Sequence, residues 1–140
     1  MPIEIKDVNG GLGCILLAIG VVEKKEYIDA MRKHLTQDTE KFKRYRYNLA
    51  DWTAVTAGDI PSESIQLVAE LCKKAAAVNP NIIVGSVAGQ DLSFGLVRMA
   101  HIRRDGADWE SKAFRNRVEA EAWIEQRVKE KYDIDNLTFG

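Results

Sequence analysis

The sequence predicts an α/β domain: one mixed, mostly parallel β-sheet that opens with an antiparallel hairpin and carries about four helices. Three observations lead there. Runs that alternate or are continuously apolar recur at 3–8, 14–22, 45–50, 82–88 and 109–115, each of strand length. Between most of them, apolar residues return every three or four positions, the period of a helix with one buried face. No composition break or internal repeat divides the 140 residues, so a single domain over 1–140 is expected. That length buries roughly 65–70% of the surface an unfolded chain exposes.

Taken in order, Ile3 and Ile5 alternate with Glu4 and Lys6, and Asn9-Gly10 follows, a pair that tolerates the positive φ of a tight hairpin turn. The second arm, CILLAI at 14–19, is apolar on both faces and reads as an interior strand ending at 20–22. Over 24–40, Tyr27, Ile28, Met31 and Leu35 share a face, with charged residues between them. That helix carries His34, and a lone histidine beside an apolar stripe packs far more often than it ligates or acts as a base. In the third strand Tyr45, Tyr47 and Leu49 alternate with Arg46, Asn48 and Ala50. It empties past Trp52 and Val55 into the turn AGDIP at 57–61, where Asp59 or Ser62 is placed to accept an N–H from the next helix.

That helix spans 62–78, with Ile65, Val68, Leu71, Cys72 and Ala75 on a broad apolar face, and Asn79-Pro80 ends it. IIVGSVA at 82–88 reads as a buried parallel strand. Asp91 caps a further helix, with Leu92, Leu96 and Met99 on one face, that runs past His101. After a last strand at 109–115, Asn116 and Glu119 form a capping-box pattern opening a helix with Val118, Trp123, Ile124 and Val128 towards its buried side. Residues 133–140 make a short tail, held only if Leu137 and Phe139 dock. The order is ββαβαβαβα, and right-handed crossovers make the last three strands parallel.

Composition narrows the function classes. A net charge of −1 with interspersed signs lacks the basic excess that nucleic-acid or anionic-membrane binding draws on. The longest apolar run, 14–19, is far short of the ~20 residues of a membrane span, which points to a cytoplasmic protein. Cys14 and Cys72 lie in apolar runs without metal-ligand spacing and read as buried thiols. Gly10, Gly11 and Gly13 sit in a hairpin, not between a strand and a helix, so they are turn glycines and not a dinucleotide fingerprint. The basic cluster from Arg98 to Arg104 reads as a solvated helix flank. Neither His34 nor His101 adjoins a nucleophile elbow. Asp51 and Asp59 flank the central turn and suit turn and capping roles better than an acid/base pair. No enzyme, metal or cofactor is expected.

The stretches YRYNLADWTAVTAGDIPSESI at 45–65, NPNIIVGSVAGQDLSFGLVRM at 79–99 and WESKAFRNRVEAEAWI at 109–124, in that element order, resemble the SpoIIAA-like (STAS-related) group of small bacterial proteins. The resemblance spans nearly the whole domain and implies a non-catalytic fold that binds a protein or a small ligand. In the anti-sigma-factor antagonists of that group, the loop after the central strand carries an Asp-Ser-Ser-Gly-like motif whose serine is phosphorylated. The corresponding DIPSES at 59–64 lacks the Asp-Ser pair and the glycine, and Glu63 adds negative charge.

Two functions are therefore expected. The first is a regulatory interaction module acting through the turn at 57–64, with Asp51, Asp59, Ser62 and Ser64 as candidate residues and Ser62 primarily a helix cap. The alternative is a carrier of a small apolar or amphipathic ligand in a cavity lined by Met31, Phe94 and Met99. Self-association is expected through the sheet face that bears Arg46 and Asn48, near Trp52.

Overall fold

The computed structural model of the chain describes residues 3–89 and 109–140, with the backbone alone at 57–59. The strands are β1 (Ile3–Val8), β2 (Gly13–Glu23), β3 (Tyr47–Asp59), β4 (Ile83–Val87) and β5 (Glu110–Phe114). The helices are α1 (Lys24–Thr36), a single turn α2 (Thr39–Phe42), α3 (Ser62–Val78) and α4 (Arg117–Tyr132). The strands form one sheet in the order β1-β2-β3-β4-β5, antiparallel between β1 and β2 and parallel thereafter. The mixed α/β architecture is as expected. The helix anticipated after Asp91, with Phe94, Met99 and His101, lies outside the described residues.

Each face of the sheet has its own core. On one, Cys14, Leu16 and Ala18 of β2 and Val84 of β4 pack against Tyr27 and Leu35 of α1 and Val68, Leu71 and Cys72 of α3. On the other, Ile15, Tyr47, Leu49, Ile83 and Val87 meet Ala120, Ile124 and Val128 of α4, with Leu137 and Phe139 of the tail. Period-two alternation sends neighbouring residues of one strand into opposite cores, as with Cys14 and Leu16 on one side and Ile15 on the other; the expected two-sided burial stops there, since Leu17 is half-buried and Ile19 is 49% exposed. Gly85 brings α4 close to the sheet: a Cβ there would lie 2.9 Å from Ile124 Cδ1.

The first turn is longer than a two-residue hairpin. Val8 pairs with Gly13, leaving four residues between, and Asn9, Gly10 and Gly11 take φ of 53°, 67° and 91°. Gly13 is required by contact, since a Cβ there would collide with the Tyr47 ring. The α1 helix stops at Thr36, short of residue 40, because Asp38 leaves helical geometry to cap α2, accepting from Lys41 N at 3.0 Å. The largest departure is β3. It continues through Ala57-Gly58 to Asp59, paired with β2 as far as Glu23, and the connection to α3 shrinks to Ile60 and Pro61. A parallel partner of equal reach satisfies the backbone there and overrides the turn propensity of Ala57-Gly58-Asp59. The ladder absorbs the mismatch with register shifts at Leu17/Ile19 and Gly20/Val21.

Candidate functional site

The turn that the sequence singled out lies at the carboxyl end of β3. Ile60 packs on the α1/α3 core, and Pro61 (φ −61°, ψ 152°) occupies the cap position of α3. Its carbonyl accepts from Ser64 N at 3.0 Å and Ile65 N at 3.2 Å, which opens the helix. Ser62 is therefore the first helical residue and not the cap, a correction that follows from proline's extended ψ setting the entry one residue early. Ser62 and Glu63 are exposed, and Glu63 sits where the helix dipole favours an acid. Ser64 is buried at 4% exposure, so its hydroxyl is closed to a modifying enzyme unless the first turn opens. Asp59 ends β3 opposite Glu23.

Asp51 stands elsewhere. Eight residues of strand, about 26 Å at 3.3 Å per residue, separate its backbone position from that of Asp59, so the fold does not bring the two together as an acid/base pair. Its side chain is buried at the foot of α4: Oδ1 accepts from Thr53 N at 3.0 Å and Thr53 Oγ1 at 2.6 Å, and Oδ2 from Arg117 Nη1 at 3.3 Å. Arg117 also reaches Glu121 Oε2 at 3.0 Å and donates to the Phe139 carbonyl. One guanidinium thus ties β3, α4 and the tail together. Asp51 is a structural anchor in this arrangement, away from the turn at 57–64.

Arg46 and Asn48, expected on one open sheet face, do not share a face: Asn48 turns to the α1 side, whereas Arg46 precedes β3 and turns to the α4 side, so neither belongs to an uncovered face. Asn48 points under α1, its Nδ2 3.0 Å from His34 Nε2, while Arg46 donates to the carbonyls of Lys43 and Tyr45 and lies over the Tyr132 ring. Trp52 packs edge-on against Tyr27 with ring centroids 5.7 Å apart. Of the proposed ligand-lining residues, Met31 is packed on the α1/α3 core, and Phe94 and Met99 lie outside the described residues. A groove of about 330 Å³ runs between α4 and residues 134–136, lined by Ala122, Glu125, Lys129 and Ile134 among others. Its Lys129 is already paired with Asp133 and Asp135.

The fold also assembles a polar chain that was not foreseen. Cys14 Sγ lies 3.9 Å from His34 Nδ1 and 4.0 Å from Nε2, Asn48 donates to Nε2, and Tyr45 donates to Asp7 Oδ1 at 2.5 Å. Lys41 closes the outer end, 3.3 Å from Asp7 Oδ2. With Asn48 Nδ2 donating to Nε2, the imidazole proton is assigned to Nδ1. Burial pushes the Cys14 thiol up to about 12, against a hydrogen bond from Tyr45 that lowers it. Burial, with Lys41 adding to it, brings His34 down to about 4. Burial and the bond to Asp7 also raise Tyr45.

A Cys–His–Asn set superficially suits nucleophilic chemistry, which needs a thiolate and an imidazolium. At neutral pH these two groups are both uncharged, and Cys14 has no exposed surface. As packed, the set cements α1 onto β2. The signal for it was present: α1 follows β2 directly and folds back over it, and Tyr27, Met31 and His34 share its inner face at i, i+4 and i+7. Among the described residues, no group of three or more His, Cys, Asp or Glu side chains could hold a metal ion. Compared with known families and characterised proteins, the chain matches no family model and no curated sequence.

Proposed function

We propose that the chain is a non-enzymatic regulatory interaction module of the SpoIIAA-like kind, working in the bacterial cytoplasm and engaging a protein partner through the turn between β3 and α3. The observation that carries this reading is the exposed pair Ser62-Glu63 on the first turn of a helix whose entry is fixed by Pro61. A rigid scaffold holding an exposed helix start is a common way to present recognition groups. Two further points support it: the interior Cys14–His34 pair is neutral at pH 7, and the mixed sheet opens with an antiparallel pair and continues parallel, as the resemblance implies. A second copy of the chain is among the partners this reading admits. No helix among the described residues is long and apolar enough to cross a membrane.

The test is site-specific photo-crosslinking from residue 62 in cells, with exposed Glu125 on α4 as the control position. A partner captured from 62, absent from 125, and lost on Ile60→Glu supports the module. Capture that is equal at both positions, or unaffected by Ile60→Glu, argues against it. A small apolar molecule retained by the purified protein in native mass spectrometry would favour the carrier instead.

A further inference from the structure

We propose that the outer edge of β1 is a self-recognition edge: it pairs antiparallel with β1 of a second copy about a two-fold axis through Ile5, perpendicular to the sheet. The two five-stranded sheets then become one. This contact is separate from the β3–α3 turn and does not rest on the reading above.

Among the described residues, β1 pairs only with β2, so one side of it presents unpaired N–H and C=O groups. The side chains select the partner. Ile3, Ile5 and Asp7 face the α1/α3 side, where Ile3 joins the core, Ile5 packs half-buried against it and Asp7 holds Tyr45 and Lys41. Glu4 and Lys6 are exposed on the opposite side. Glu4 has no basic partner among the described residues, and the Lys6 ammonium reaches only the Gly140 carbonyl, at 3.4 Å.

A two-fold axis perpendicular to the sheet keeps equivalent faces together, so directly opposed residues must have the same parity. With Ile5 opposite Ile5 of the second copy, Glu4 lies opposite Lys6 on one side of the axis and Lys6 opposite Glu4 on the other. Both charges are matched twice. Moving the axis one position along sets Lys6 against Lys6 or Glu4 against Glu4, and like charges directly opposed are destabilising. The alternation therefore both selects one register and disfavours its neighbours, while Ile5 loses its remaining contact with water. The other edge of the sheet is not equivalent. Glu110 of β5 is already held at both oxygens by Arg127, at 2.5 and 2.9 Å, which leaves Lys112 without a free acid to meet.

The experiment is analytical ultracentrifugation of the full chain over a micromolar concentration series, at low and high salt. Wild type is expected to move towards twice the monomer mass as concentration rises, less so at high salt. Glu4→Lys and Lys6→Glu alone each set like charges opposite one another in every register of this edge and are expected to stay monomeric. An equimolar mixture of those two variants restores the complement and should re-associate, as should the double exchange Glu4→Lys/Lys6→Glu. Both positions are exposed, so circular dichroism and melting should match wild type. A wild type that is monomeric throughout, single variants that associate like wild type, or a mixture that fails to recover association would each overturn the proposal.

Discussion

Acidification should destabilise the protein through His34. In the folded chain the imidazole is held at about 4 against an ordinary 6.5, so between those values the unfolded chain carries a proton that the folded one refuses. Stability tied to this group is complete above pH 6.5, falls as the pH drops towards 4, and is fully lost below it. Two and a half pH units at 1.36 kcal/mol each give about 3 kcal/mol as the ceiling, a large share of the 5–15 kcal/mol of an ordinary domain. Burial fixes the sign, because it disfavours the charged ring, and the neighbouring groups do not reverse it. Cys14 and Tyr45 are uncharged, Lys41 opposes a second positive charge, and Asp7 only partly offsets it. The side chain is half-buried by area, yet its nitrogens face Cys14 and Asn48. The assay is urea unfolding from pH 7.5 to pH 5, above the carboxylate range, comparing wild type with His34→Gln, which can keep a bond to Asn48 but cannot titrate. The wild-type midpoint should fall steeply across that range and the variant's should stay nearly flat. Equal slopes in the two proteins would refute the account.

The Arg117 staple gives the next expectation: Asp51→Ala takes the acceptor from Thr53 N and Oγ1 and leaves Arg117 paired with Glu121, and should cost about 1–3 kcal/mol in denaturant melts, loosening α4 and the tail together. Gly85→Ala should cost about 1–3 kcal/mol by overpacking, and Ile124→Val in the same chain, which removes the clashing Cδ1, should recover much of it in thermal melts. At the helix starts, Asn116→Ala should cost about 1 kcal/mol, because its side chain accepts from Glu119 N at 2.9 Å.

Much of this fold was legible in the chain because each strand and helix carries its own periodicity. The α3 span at 62–78, the two-sided burial of residues 14–16 and the Asn116–Glu119 cap are local patterns with a single physical solution. What could not be read locally was set by partners distant in sequence. The extension of β3 to Asp59 depends on how far β2 runs beside it. The placement of Asp51 depends on an arginine 66 residues later. Cys14 and His34 meet only because α1 turns back across β2, and neither residue advertises the other in its own neighbourhood. At the turn, the exposure of Ser62 and the burial of Ser64 follow from a helix start shifted one position by Pro61, a difference too fine for a pattern of apolar residues to resolve.

The clasp at Asn9 sets the order in which the two cores can mature. Its Oδ1 accepts from Thr138 N and Oγ1, both at 3.1 Å, and its Nδ2 donates to the Thr138 carbonyl at 2.8 Å, contacts spanning 129 residues. The core under α1 and α3 draws its buried residues from 3–84, whereas the α4 side waits for its final residues to return to the first turn. Closing so long a loop delays that step but adds little standing cost, since the entropy grows only with the logarithm of length. The late-closing side should also be the first to open. In native-state hydrogen exchange, the amides of residues 137–139 and of the first turn should lose protection together, while those of β2 and α3 hold out to global unfolding.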